Sequence, residues 1–309
     1  MNPILQIIIS SYSSGNQGGG GGNPYAIFGY GYTSTYLSMT NRVSNTGVVS
    51  ADVTGVGTAR YALAAAGYGG DKAIFGYGGG SSGYVSITNL VSNTGVVSSN
   101  VTGVGTARYA LAAAGYGGDK AIFGYGYSNS GNVSITNRVS NTGVVSADVA
   151  GVGTARQWLA AAGYGGDKAI FGYGYSNSGY VSITNLVSNT GVVSADVTGV
   201  GTARGWLAAA GYGGDKAIFG YGSNSSGRVS ITNLVSNTGV VSADVTGVGT
   251  ARYGLAAAGY GGDKAIFGYG NSSSGNVSIT NLVSNTGVVS ADVTGVGTAR
   301  VDLAAASYG

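Results

Sequence analysis

The sequence predicts an all-β fold: a six-bladed β-propeller with four antiparallel strands per blade, closed by a C-terminal strand that completes the first blade. Three observations predict it. A unit of 48 residues recurs, each unit carries four strand-like segments, and the two ends of the repeated region complement each other.

The period is read from two strings. Ala-Ile-Phe-Gly-Tyr-Gly recurs with its phenylalanine at Phe28, Phe75, Phe123, Phe171, Phe219 and Phe267, and Gly-Thr-Ala-Arg recurs with its arginine at Arg60, Arg108, Arg156, Arg204, Arg252 and Arg300. The arginines are spaced by 48 throughout; the phenylalanines are spaced by 47 once and then by 48. Six copies of a unit of this length indicate a propeller or an array.

Within one unit, Leu63 to Tyr68 is a short apolar run, and Gly69-Gly70-Asp71 is a hairpin signal. Lys72 to Tyr77 reads as the second strand, followed by a Gly/Ser loop from Gly78 to Gly83. Tyr84 to Val91 alternates apolar and polar residues as a half-buried third strand does. Asn93-Thr94-Gly95 turns the chain into a fourth strand over Val96 to Val101, and a loop from Thr102 to Arg108 leads into the next unit. Three consecutive alanines in the first strand suit the crowded inner edge where blades converge.

The ends decide between a ring and a stack. The first unit, beginning near Pro24, lacks its own Leu-Ala-Ala-Ala strand, and the chain ends with an orphan one from Leu303 to Tyr308. A closed ring uses both and leaves no open seam. A β-solenoid, the competing repeat architecture, needs distinct capping ends instead. The domain organisation is therefore residues 1–23 as a flexible anchor peptide and Gly-rich linker, and residues 24–309 as the propeller.

Composition excludes much chemistry. Of 309 residues, 61 are glycine and only 8% are charged; cysteine, histidine and glutamate are all absent. No thiolate nucleophile, imidazole base, disulfide or zinc-thiolate cluster can form, and no cofactor or metal is expected. A net charge of +3 is too small for a nucleic-acid surface. No apolar run reaches the roughly 18 residues of a membrane helix, so membrane insertion is not expected.

Comparison of the six copies locates the candidate site. The turns Tyr-Gly-Gly-Asp-Lys and Ser-Asn-Thr-Gly hardly vary. Variation gathers in the loop after the second strand and in the residue pair after each repeated arginine. In an up-and-down blade those two connections share one face, and the invariant turns share the other. The variable face carries Tyr32, Tyr36, Tyr61, Tyr84, Tyr109, Tyr127, Trp158, Tyr175, Tyr180, Trp206, Arg228 and Tyr253. Its Tyr, Trp, Ser, Asn and Gly composition matches adaptable binding loops, with aromatic rings for sugar faces and amides or hydroxyls for hydrogen bonds. The competing reading is that these rings cover loop backbone and that their variation is drift.

The repeated arginine reads as an anion clamp or, better, as a tie between blades through carbonyls or Asp52-type carboxylates. Asn100 replaces that Asp in one copy. Arg42 and Arg138 stand where other copies have leucine, a swap tolerable where the side chain reaches solvent or a partner. The Asp71-Lys72 pair is a solvated turn of little energetic weight. Every Asp except Asp302 belongs to a repeated slot, which argues against two-carboxylate glycosidase chemistry. A sialidase-like propeller enzyme is the catalytic alternative. The absence of Glu, and a segment from Ser50 to Thr58 whose spacing does not match an Asp box, count against it.

The order arginine, small-residue strand, then hydrophobic strand ending in Gly76-Tyr77-Gly78 resembles the Kelch propeller repeat. Val96-Val97 stands where Kelch repeats carry a tryptophan strand, so the resemblance bears on architecture. The string Asp-Lys-Ala-Ile-Phe-Gly-Tyr-Gly, continuing through Val-Ser-Asn-Thr-Gly-Val-Val to Gly-Val-Gly-Thr-Ala-Arg, is also similar to repeats in virion proteins of tailed bacteriophages, over residues 24–309. That resemblance implies a virion location and a tail or fibre-type protein binding a host surface glycan or receptor. A purely structural decoration protein is the alternative. Ile4, Leu5, Ile7, Ile8 and Ile9 form a β-prone stretch on a Gly-rich leash, expected to dock on other virion proteins by adding a strand to an exposed edge. Self-association into a homo-oligomer is left open.

Overall fold

A computed structural model describes residues 23–309. The proposed anchor residues Ile4 to Ile9 lie outside them. Every regular element in the described chain is a β-strand, and the strands follow the repeat. The fold is all-β and propeller-like.

Each unit contributes an inner strand, a middle strand and an outer strand, as in Ala64–Tyr68, Lys72–Gly76 and Thr88–Val91. The middle strand pairs antiparallel with both neighbours, Ala64 opposite Gly76 and Ala73 opposite Val91. The same order recurs from sheet to sheet. The first unit differs: its middle and outer strands are Tyr25–Tyr32 and Tyr36–Val43, and its inner strand is Ala304–Tyr308. Tyr25 faces Tyr308 and Gly29 faces Ala304.

The core lies between consecutive sheets. One layer gathers Ile27, Tyr30, Ala304 and Tyr308 from the first sheet with Leu63, Ala73, Phe75 and Val91 from the second. The middle strand ends in glycine because the next sheet's phenylalanine presses on it: a Cβ at Gly76 would sit 2.6 Å from Phe123 Cζ. That close approach lets sheets carrying only small inner-strand residues meet without a gap. Inner strands of several sheets line one cavity, with Ala65, Gly67, Ala209 and Gly211 among its walls.

Two segments depart from expectation. The third strand, predicted over Tyr84 to Val91, is a full ladder strand only from Thr88. Tyr77 adopts a left-handed backbone (φ 64°), and its amide donates to Ile87 O (2.9 Å) across a bulge. The intervening residues form a separate two-residue hairpin, Gly79–Gly80 against Gly83–Tyr84. The predicted fourth strand over Val96 to Val101 is reduced to two single bridges, Val91 with Val97 and Thr88 with Val101. Side chains break that ladder by competing for its backbone groups. The Leu90 amide donates to Ser98 Oγ (2.9 Å), and Asn89 Nδ2 donates to Ser98 O (3.0 Å).

The repeated arginine is buried and riveted. Arg156 Nε donates to Tyr173 O (2.8 Å), Nη1 to Thr154 O (3.0 Å) and Nη2 to Asn185 Oδ1 (2.7 Å). Its guanidinium lies 4.4 Å from the ring centre of Tyr125, a residue of the preceding sheet. The tie predicted through carbonyls is therefore present, with an asparagine as third acceptor. The Asp52-type carboxylate adds a long ion pair without a hydrogen bond, Arg300 Nη1 standing 4.0 Å from Asp52 Oδ1 and Arg252 Nη1 3.9 Å from Asp292 Oδ1. These aspartates also bridge units, as Asp148 accepts from Thr106 Oγ1 (2.6 Å) and Asn137 Nδ2 (2.9 Å). Burial pushes the Asp148 carboxyl up, but hydrogen bonds from Thr106 and Asn137 outweigh it and hold the group below the usual carboxylate range. Burial likewise carries the Tyr125 phenol to about 12 against the opposing Arg156 charge. The arginines that replace leucine behave as expected: Arg42 is exposed, and Arg138 Nε donates to Gly191 O (3.2 Å).

Candidate functional site

The two variable connections meet in space. The residue after each repeated arginine bridges antiparallel to the first residue of the variable hairpin: Tyr61 with Gly79, Tyr109 with Tyr127, Gly205 with Ser223, and Tyr253 with Asn271. Gln157 pairs with Tyr175 in the same way, and Tyr32 bridges to Val301. Backbone pairing thus brings the sequence-variable positions to one face, opposite the Gly-Gly-Asp-Lys turns. Asn23 lies among those turns, lining the inner-strand cavity with Gly70, Gly118 and Asp119.

The aromatic residues of the variable face touch in series. Tyr36 stacks on Tyr61 (centroids 5.4 Å apart, 21° between planes), and Tyr61 contacts Tyr109 at 5.9 Å. Tyr109 meets Trp158 edge-on at 5.6 Å, Trp158 stacks on Trp206 at 4.8 Å, and Trp206 reaches Tyr253 at 6.3 Å. Tyr32 joins at one end through Tyr36 and Tyr61. Tyr84 stacks on Tyr109, Tyr127 packs edge-on against it, and Tyr175 and Tyr180 flank Trp206. Arg228 lies over the Tyr253 ring at 5.0 Å. All twelve candidate residues are therefore part of one arc. Most are half-buried, and Tyr36, Tyr175 and Arg228 are exposed.

Beneath the arc runs a series of backbone hydrogen bonds that the sequence did not disclose. The Ala110 amide donates to Ala62 O (2.7 Å), Trp158 to Ala110 O, Trp206 to Trp158 O, Gly254 to Trp206 O and Asp302 to Gly254 O (2.7 Å). The Ala62 amide donates to Asp302 O (2.8 Å), which returns the series to its start. Each of these residues has a left-handed backbone, from φ 50° at Ala62 to φ 62° at Gly254. Such strain in non-glycine residues persists where neighbours over-determine it, here through a donor and an acceptor on each residue. The conformation aims Trp158 and Trp206 at the axis, where they line a cavity of about 70 Å³ with the leucines of each unit.

Asp302 occupies the same backbone position and is the residue sequence reasoning set aside. The available signal was its being the one aspartate outside a repeated slot. Its Oδ1 is buried and has no hydrogen-bond partner. Burial raises its carboxyl to about 7, against an ordinary value of about 3.9. Between those values the folded chain holds a proton that the unfolded chain has lost. Stability from the neutral acid is thus complete below about pH 4 and lost as pH rises to about 7. Asp302→Ala should therefore raise the urea-unfolding free energy at pH 8 by on the order of 2 kcal/mol, discounted for partial solvent contact, and by little at pH 4. An equal effect at both pH values would contradict the raised carboxyl. Alanine is native at this position in Ala62 and Ala110.

A larger opening, about 680 Å³, lies where the aromatic series is interrupted at Val301-Asp302, between Tyr61 and Tyr253. Asn271 and Asn276, the two ends of one of the variable loops, complete one wall. Among the described residues, no three carboxylates gather in a metal-binding group.

No family model matches this chain, and no curated protein matches it. Solved structures do. One of them, described as "Structure of YjhT", superposes with a TM-score of 0.64 over 86% of this chain and 97% of its own, at 11% identity. At that identity the likeness speaks for the propeller-like fold alone.

Proposed function

We propose that the chain is a six-bladed β-propeller sealed by its C-terminal strand, and that it serves as a non-enzymatic, virion-associated recognition protein. It binds a host surface glycan through the aromatic face, and residues 1–23 dock it on the particle. One observation carries the recognition reading: the connections that differ from unit to unit are hydrogen-bonded together on one face as a contiguous aromatic series. Drift alone would not require the variable positions to converge. Asn23 on the opposite face supports a division between attachment and recognition, and the repeat's similarity to phage virion sequences supports the location. The pairing of Ala304–Tyr308 with Tyr25–Gly29 and the returning hydrogen-bond series support six blades and closure. Several such rings on one particle would raise avidity by roughly 10² to 10⁴.

A structural decoration role is favoured by a different observation. Val48, Val96, Val144, Val192, Val240 and Val288 are 57–66% exposed at equivalent places, a spaced apolar series that lateral neighbours could cover. The two readings separate in one experiment. Replacing both Trp158 and Trp206 by alanine should weaken binding of purified protein to host cells at least about tenfold, given the weight of buried tryptophans at interfaces. The melting profile should remain that of a folded protein, since Ala62 and Ala110 already occupy that ring position. Unchanged cell binding by the folded double variant would reject recognition through this face.

A further inference from the structure

The opening at the break in the aromatic series has an asymmetry the rest of the face lacks. On one wall, polar groups satisfy one another. Arg228 Nη2 donates to Asn271 Oδ1 (2.8 Å), Asn271 Nδ2 to Asn276 Oδ1 (2.8 Å), and Asn276 Nδ2 to Tyr32 O (3.4 Å). Asp302 also lines the opening, and its Oδ1 is buried and receives no hydrogen bond. The neighbouring ring position makes room for it: Gly254 stands where other units have alanine or tryptophan, and a Cβ there would lie 2.6 Å from Oδ1. The lone non-repeated carboxylate is thus matched by the lone glycine of the ring, beside the largest opening of the variable face.

We infer that this opening binds a protonated amine carried by a saccharide, a hexosamine with a free 2-amino group, with the Asp302 carboxylate as the partner of the ammonium. The assignment rests on the glycan reading above and narrows its ligand class. An ammonium supplies the donor and the opposite charge that a buried, unpartnered carboxylate lacks. Tyr61 and Tyr253 line the same opening, which puts aromatic rings beside the cation and the sugar's C–H surface. The titratable and charged groups around Asp302 are these two phenols and Arg228. The Arg228 guanidinium is engaged by the Tyr253 ring and Asn271, and it is not among the residues lining the opening. The whole chain carries +3, so non-specific attraction would disfavour a cationic sugar and any preference for one must come from a local group.

The test is calorimetric titration of the full chain at neutral pH with the β-1,4-linked trisaccharide of glucosamine and with its N-acetylated counterpart. The expected result is at least about tenfold tighter binding of the amine form, with that preference abolished in Asp302→Ala. A preference that survives in Asp302→Ala overturns the assignment. Equal binding of both trisaccharides overturns the ammonium assignment and leaves glycan recognition standing. Binding of neither at about 10 mM overturns the hexosamine pocket, while glycan recognition is judged by the separate Trp158 and Trp206 experiment. Asp302→Asn, which keeps shape and removes charge, should behave as Asp302→Ala; retention of the preference there would also overturn the proposal.

Discussion

A chain ending at Asp302 is expected to lose its cooperative folded state. The deletion removes the strand Ala304–Tyr308, whose residues pair with Tyr25 to Gly29 and pack against sheets on both sides. Leu303 and Tyr308 are each about 95% buried or more. Losing a large buried side chain costs about 2–5 kcal/mol, so these two alone approach the roughly 5–15 kcal/mol that stabilises an ordinary domain. The middle strand of the first sheet would also become an edge with free backbone groups, which invites pairing with another chain. Light scattering after gel filtration should therefore find aggregates or strand-swapped oligomers, and thermal melting should lose its single sharp transition. A monomeric truncated protein that melts like the full chain would mean that the ring does not depend on this strand.

Arg156→Met is expected to destabilise the fold by about 3–5 kcal/mol, the low end for leaving three buried acceptors unsatisfied at about 1–3 kcal/mol each. Methionine fills similar space but leaves Tyr173 O, Thr154 O and Asn185 Oδ1 without their donor, and it gives up the contact over Tyr125. Burial already lowers the Arg156 pKa from its ordinary value, yet the guanidinium stays cationic because that value lies far above neutrality and the charged form donates to three acceptors. Urea unfolding should show the midpoint fall with little change in slope. A change below about 1 kcal/mol would refute the rivet. Asp196→Asn is the informative control and should cost little, because Asn100 fills the equivalent slot and accepts from Thr58 N (3.1 Å) and Asn89 Nδ2 (3.1 Å).

Much of the candidate face was legible before any coordinates. Alternating connections of antiparallel strands must lie on opposite ends, so repeat comparison alone could sort Tyr61, Trp158 and Trp206 from the Gly-Gly-Asp-Lys turns. What those residues do to one another was not legible. The stacking of Trp158 on Trp206 depends on a left-handed backbone at both, and that conformation is enforced by amides and carbonyls one repeat away. Tyr125 and its copies read as the tail of a strand. They prove to be the rings beneath the next unit's arginine.

The sequence by itself determined the period, the β character, the pairing of its two ends as complementary halves of one sheet, and the face on which variety collects. Those follow from local rules: alternation, turn residues and a missing strand. Tertiary structure alone decided that the predicted fourth strand shrinks to single bridges, that the arginine donates to an asparagine rather than an aspartate, and that Asp302 stands partnerless beside Gly254. Each of these turns on which side chain reaches a given group first, and the partners lie as far as 259 residues apart in the chain, beyond the range of any local pattern.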